Sequence, residues 1–370
     1  MGADPVIVAA RRTPIATRGR GLAAVDVAAL ATTAVAAAHA DAQAVLGAVD
    51  VADVVLGNCM GPGGNPARHA ALAAGLGAHV PGATIDRQCG SGLAAIVDAA
   101  VAVRVDPRVR IAGGAESAST APVRSLNGVP YARAPFAPSG FPDPDMLAAA
   151  EDLARHDGIS RERQDAHAAR SHARARAARD SGRFADELAA VGAARADDGI
   201  GARERVLARL TPLFPGGSVT AGNSTRVSDG AAAVVIAPAG VGAPGLAVRA
   251  HGIVGCDPAL PGIGAAPAVS AALASAGLSE GDITAFEIVE AFASQSLAVL
   301  DRLGIAEDDP RVCAHGGALA LGHPWGASGA VAVVRLFSRL VRAGAPRGAL
   351  GVAAASVGGG LGVALVVEAV

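Results

Sequence analysis

The chain has 370 residues, enough for two domains or one large duplicated one. Hydrophobic residues make up 51% and charged residues 17%, which supports a sizeable core and argues against extended disorder. The net charge of −2 gives no electrostatic basis for a nucleic-acid partner, and the complete absence of lysine excludes Schiff-base, Ser-Lys and P-loop lysine chemistry.

In chain order, Pro5 to Ala10 is a short apolar run that reads as a buried strand. Val25 to Ala38 predicts a helix, Val51 to Leu56 a strand, Ala67 to Leu76 a helix, and Ala83 to Asp86 a short strand. An Ala-dominated run from Cys89 to about Val103 predicts a helix that is apolar on nearly every face, hence buried. Val109 to Ala112 is a further strand. Between about residues 118 and 222 the texture changes. Prolines crowd the first part, and Ile159 to Ala178 reads as a polar, Arg-rich helix with Ser160 as N-cap. This stretch reads as an insertion over the core, whose arginines suit ligand phosphates or, more blandly, a solvated face. The core returns with strands at Gly230 to Ala237 and Leu246 to His251. A helix at Ala266 to Ala276, a strand at Ala285 to Val289 and a helix to about Leu303 follow. An apolar helix at Ala330 to Val341 and strands at Gly348 to Ser356 and Val363 to Val367 close the chain.

Alternating strands and helices indicate an α/β layered fold. The two series run in parallel, with residues 1–240 forming one half and 241–370 the other. Cys89-Gly90-Ser91-Gly92 in the first occupies the place of His323-Pro324-Trp325-Gly326 in the second. An internal duplication packed about a pseudo-twofold would bring Cys89 and His323 together. At a helix N-terminus, free amides and the helix dipole favour a thiolate, and Gly90 and Gly92 would let a substrate approach the backbone. A Cys facing a His is the minimal activated thiol nucleophile. The competing reading of Cys89 is a small buried apolar residue. The glycines at 358–360 offer amides for an oxyanion hole.

Cys59, Cys256 and Cys313 form no CxxC pattern, so no zinc site is expected; Cys59 and Cys256 read as core thiols, and His315 as structural. The first residues lack a signal-peptide apolar region. The nearest apolar run of membrane length, residues 345–370, is broken by Gly358 to Gly360 and Gly362. A cytoplasmic protein with reduced thiols is the expectation.

Asp86-Arg87-Gln88-Cys89-Gly90-Ser91-Gly92 resembles the acylated-cysteine motif of the thiolase family, the acyl-CoA C-acyltransferases. The stretch from Gly316 to Gly329, GGALALGHPWGASG, is similar to that family's histidine motif over its whole length. GGAESAS, SVTAGNSTRVSDGAAA and SVGGGLG match further family blocks, so the resemblance covers almost the entire chain. It implies an α/β thiolase fold: two duplicated βαβαβαββ halves in a five-layered αβαβα arrangement, with the insertion as a loop domain. It implies that Cys89 carries the acyl group, that His323 activates it, and that amides of Cys89 and Gly360 hold an oxyanion. It places Thr225 along the CoA pantetheine and Phe292 at the substrate. It implies CoA thioesters as substrates, no metal or redox cofactor, a role in lipid metabolism, and a homodimer or homotetramer.

Two departures bear on chemistry. Thiolases carry Asn-Glu-Ala-Phe, whose Asn holds an oxyanion-hole water; here Val289 stands in its place. They also carry a second Cys before the triple glycine as the base for α-proton transfer; here it is Ser356. Cys313, Arg226, Pro261 and Asp145 are smaller departures, and a takeover of proton transfer by Cys313 or Glu290 is one way to restore the lost base. Three functions remain open at this level. One is 3-ketoacyl-CoA thiolysis or acetyl-CoA condensation. The second is acyl transfer, thioester hydrolysis or decarboxylating condensation without ordinary Claisen proton abstraction. The third is a non-catalytic scaffold subunit, against which the intact Cys-His pair argues.

Overall fold

The computed structural model describes residues 4–201 and 204–370; residues 1–3 of the N-terminal stretch and 202–203 of the insertion lie outside them. The first half contains β1 (Val6–Arg12), β2 (Ala16–Thr17), α1 (Val27–Leu46), β3 (Val51–Gly57), α2 (Pro66–Ala73), β4 (Gly82–Ile85), α3 (Ser91–Val105) and β5 (Val109–Glu116). The insertion carries the hairpin β6 (Arg124–Leu126) and β7 (Val129–Tyr131), then α4 (Met146–His156), α5 (Arg161–Asp180) and the single turn α6 (Glu204–Leu207). β8 (Ser228–Ala237) completes the first half. The second half runs β9 (Leu246–Gly255), α7 (Ala265–Ala276), β10 (Ile283–Ile288), α8 (Ala293–Leu303), α9 (Ala318–Leu321), α10 (Trp325–Phe337), β11 (Leu350–Val357) and β12 (Leu361–Ala369).

The strands form one mixed sheet in the order β10-β11-β12-β9-β1-β8-β5-β3-β4, with β2 beside β8. Its middle shows the duplication. In the first half β4 and β3 are parallel, β3 and β5 are parallel, and β5, β8 and β1 follow antiparallel. In the second half β10 and β11 are parallel, and β11, β12 and β9 follow antiparallel. A parallel bridge between Phe286 and Val312 occupies the edge place that β4 fills in the first half. The halves join where Val6 and Ile7 of β1 pair with Ala247 and Leu246 of β9.

Packing follows the predicted layers. α1 and α2 cover the outer face of the first half-sheet through Leu30, Val35 and Ala70. α7 and α8 cover that of the second through Val269, Leu273 and Leu300. Between the half-sheets lie α3 and α10, with Leu93, Ile96, Val333 and Leu336 fully buried. Fully burying such a side chain contributes about 1.5–3 kcal/mol. The stretch Gln88–Val105 is apolar and long enough to cross a membrane, but it is mostly buried as this central helix.

The glycines of the two corners serve this central layer rather than a substrate. A Cβ at Gly92 would lie 2.7 Å from the Gly326 carbonyl oxygen, and one at Gly114 2.0 Å from the same atom. A Cβ at Gly90 would meet Val357 at 2.7 Å. The expectation of glycines kept open for ligand approach is thereby corrected: Gly92 and Gly114 let the first turn of α10 touch α3 and β5, and Gly90 seats the Cys89 turn on Val357 and Val363. Three arginines of α5 also turn toward the second half. Arg163 binds Asp301 and Glu307, Arg170 the Glu307 carbonyl, and Arg174 the Val312 carbonyl. They fasten the insertion to the second half instead of waiting for phosphates.

Candidate active site

Cys89 sits in a single 3-10 turn, Gln88–Gly90, directly before α3. His323 lies just before α10 and is 2% exposed. The contact between the α3 and α10 corners sets these side chains face to face, with His323 Nε2 3.3 Å from Cys89 Sγ. The other ring nitrogen, Nδ1, lies 2.6 Å from the Ser328 hydroxyl. That hydroxyl donates to the Pro324 carbonyl at 3.1 Å, so it accepts the Nδ1 proton. Nε2 is then unprotonated and aimed at the thiol, the tautomer a general base requires.

Burial dominates the electrostatics. It pushes the Cys89 thiol up to about 12; the amides of Cys89 and Gly358 pull the other way, while Glu116 and Asp86 add to the rise. Burial likewise lowers His323 to about 4. The resting pair is therefore a neutral thiol and a neutral imidazole. The helix terminus does not produce the thiolate expected from sequence, because desolvation of the sulfur outweighs two amide dipoles.

Glu116 at the end of β5 is fully buried and takes amide hydrogens from both halves: Cys59 at 3.1 Å, Met60 at 3.0 Å and Gly326 at 2.9 Å. The Asn58 side-chain amide donates to it at 2.8 Å. It bolts the 58–60 loop to the first turn of α10. Cys59 lies beside the nucleophile's turn, its Sγ donating to the Gln88 carbonyl at 3.1 Å.

Besides the Cys89 amide itself, the Gly358 amide acts on the Cys89 sulfur. Gly360, the expected oxyanion donor, packs against Cys256 and Pro258. Its carbonyl accepts from the Cys256 amide at 2.7 Å, and a Cβ on it would lie 2.6 Å from the Cys256 carbonyl oxygen.

Ser356 has its hydroxyl engaged elsewhere. It donates to the Gly262 carbonyl at 2.6 Å and accepts from the Ala265 amide, at the first turn of α7, at 3.0 Å. The Gln295 side-chain amide stands 3.4 Å from the same oxygen. Val289 is 6% exposed and belongs to the central core, where it helps to wall a cavity of about 30 Å³ with Gly317, Ser328 and Val331.

The segment 223–228 threads between the two family loops. Ser224 bridges Phe292, and the Thr225 amide donates to the Ala291 carbonyl at 3.0 Å. The His323 amide donates to the Arg226 carbonyl at 2.9 Å. Thr225 gives its hydroxyl hydrogen to the Ala318 carbonyl at 2.7 Å, and Phe292 caps α8. Arg226 donates to the Ala320 carbonyl at 2.7 Å. The two proposed substitutes for the missing base are engaged in structure. Cys313 is 2% exposed within the outer core of the second half, its thiol pushed well up by burial. Glu290 accepts from the Ser171 hydroxyl at 2.7 Å and the Leu319 amide at 3.3 Å, with His167 3.3 Å away.

The Thiolase, N-terminal domain family matches residues 5–240, and the Thiolase, C-terminal domain family matches residues 244–369. The chain belongs to the thiolase family. It is 39% identical to an acetyl-CoA acetyltransferase of Pseudomonas aeruginosa over 98% of both chains. It is 37% identical to the peroxisomal 3-ketoacyl-CoA thiolase 2 of Arabidopsis thaliana over 99% of this chain and 84% of that one. The crystal structure of the Bacillus anthracis acetyl-CoA acetyltransferase superposes with a TM-score of 0.90 at 35% identity, covering 100% of this chain and 99% of that one. This thiolase is accordingly an acyltransferase by family. Sequence reasoning missed Ser328 and the bolt at Glu116, and held Gly358 only as one of three candidate amides. Ser328 and Glu116 lie inside motifs already singled out, but their roles depend on where one hydrogen bond goes.

Proposed function

We propose that this thiolase transfers acyl groups between CoA thioesters through a thioester on Cys89. The Cys89 sulfur attacks the thioester carbonyl carbon as its proton moves to His323 Nε2. The amides of Cys89 and Gly358 receive the oxyanion. Collapse breaks the bond to the CoA sulfur, which leaves with the proton from His323. The observation that carries this reading is the 3.3 Å contact between a neutral thiol and an imidazole whose tautomer Ser328 sets. With a resting thiol near 12 and a base near 4, proton transfer must accompany carbon–sulfur bond formation rather than precede it. Thr225 and Phe292 flank the substrate path in this reading. The names of the relatives support CoA thioesters as substrates, in 3-ketoacyl-CoA thiolysis or acetyl-CoA condensation; a cytoplasmic homo-oligomer completes this reading on the family resemblance alone.

A second reading is favoured by Ser356. Its hydroxyl is satisfied by Gly262 and Ala265, and a neutral hydroxyl is a poor base near pH 7. An enzyme so built keeps the acylation of Cys89 and passes the acyl group to a thiol, amine, hydroxyl or water, or condenses with decarboxylation. The deciding experiment has two arms. Intact mass after acetyl-CoA treatment reads acylation, with Cys89→Ala as control. CoA-dependent cleavage of acetoacetyl-CoA reads Claisen chemistry. Cleavage lost in the variant supports the first reading; acylation without cleavage supports the second; no acylation sinks both.

A further inference from the structure

The proline-rich stretch ahead of α4 contributes one side chain to the glycine turn at the nucleophile. A Cβ on Gly358 would lie 2.6 Å from Cε2 and 2.9 Å from Cδ2 of the Phe136 ring, and one on Gly359 3.2 Å from Phe136 Cβ. The ring therefore rests directly on the backbone of Gly358, next to Val357, which packs on the Cys89 turn at Gly90, 2.7 Å from where a Cβ there would lie. It is not a loose contact. The Arg133 guanidinium stacks 4.5 Å from the ring centroid. Arg133 in turn donates to the Asp143 carboxylate at 2.8 Å and to the Asp143 and Pro144 carbonyls at 3.0 and 3.2 Å. The Phe136 amide donates to the same carboxylate at 3.2 Å. The segment thus carries its own brace, which fixes an aromatic ring on the turn without help from the core.

We propose that Phe136 sets the acyl chain length this enzyme accepts. The inference rests on the acyl-enzyme reading above. An acyl group on Cys89 with its oxygen at the Gly358 amide starts its carbon chain beside Gly358, where the ring closes the space. Short unbranched acyl groups fit; each further methylene meets the ring. Arg133 and Asp143 act as positioning residues for it.

The test measures acylation of Cys89 and release of CoA from acetyl-, butyryl-, hexanoyl- and octanoyl-CoA. Wild type is expected to favour acetyl-CoA. Phe136→Ala is expected to raise the octanoyl-to-acetyl rate ratio by about tenfold or more, the scale on which pocket methylenes discriminate. Phe136→Trp is expected to lower the butyryl-to-acetyl ratio. Phe136→Leu, which keeps an apolar contact on the turn, guards against simple unfolding and should shift the ratio in the same direction as Phe136→Ala. A ratio that stays constant across folded variants, with all rates lowered together, overturns the proposal and leaves Phe136 as packing. Failure of every thioester to label wild-type Cys89 counts instead against the acyl-enzyme reading itself.

Discussion

Two corners of the second half meet the Cys89 turn, and they differ in what their polar atoms are free to do. At the His323 corner the polar atoms form a chain of partners that ends on the thiol: Pro324 carbonyl, Ser328 hydroxyl, His323, Cys89. At the 356–360 corner the Gly358 amide acts on the sulfur, but Ser356, two residues earlier, spends its hydroxyl on Gly262 and the start of α7. One corner is arranged to move a proton and the other to hold backbone. An oxygen in place of sulfur leaves the fold intact, because serine satisfies a helix terminus well. It removes a group that ionises near neutral pH. Chemistry can thus be altered at one atom while every layer of packing stays.

Ser356→Cys is the largest expected change to this contrast. If the corner lacks only its base, the variant should cleave acetoacetyl-CoA faster by about 10²–10⁴-fold, the usual contribution of general acid–base assistance. Acylation of Cys89 should not change, which intact mass and CoA release measured side by side will show. A folded variant that acylates normally and cleaves no faster would place the deficit elsewhere, with Val289 the next position to examine.

The opposite corner is tested by Ser328→Ala. Without the hydroxyl, His323 is free to carry its proton on Nε2, and acylation by acetyl-CoA should slow by roughly 10–100-fold, part of the 10²–10⁴-fold that base catalysis supplies, because the imidazole itself remains. Ser328→Thr keeps the hydroxyl and should recover most of the rate. Equal rates in Ser328→Ala and wild type would show that the ring is oriented by packing alone.

The layers and both corners were legible because each is written locally. Apolar runs alternate with turn residues, and the Cys89 and His323 motifs are contiguous. What escaped depends on choices that local sequence leaves open. Three consecutive glycines offer three amides, and only the folded position of the turn brings the Gly358 amide to the sulfur. The arginines of α5 find acids and carbonyls well over a hundred residues away, so a solvated face and a fastened one look alike beforehand. Phe136 stands in a stretch without periodicity, where no pattern says which way a ring points.

The smallest expected effect concerns pH, and it separates the catalytic pair from the charges that hold the fold. Burial holds His323 and His172, 2% and 1% exposed, at about 4, against an unfolded value of about 6.5. Between those values the unfolded chain binds more protons than the folded one. Stability is therefore full above pH 6.5 and falls as pH drops toward 4, by at most roughly 1.4 kcal/mol per pH unit for each histidine. Glu187 behaves differently. Arg335 and Arg12 hold its buried carboxyl down at about 2, so its contribution is present above the ordinary carboxylate value of about 4.5 and is lost only as pH falls from there toward 2. Acid unfolding should accordingly begin with the histidines, before Glu187 is protonated. In a pH-jump measurement on folded enzyme, the acylation rate should stay level from about pH 8 to about pH 5, while the urea midpoint already declines over the lower part of that span. An acylation limb centred near 6.5 in enzyme that is still folded would mean that His323 is solvated rather than held low by burial, and the inferred desolvation of the catalytic pair would be overturned.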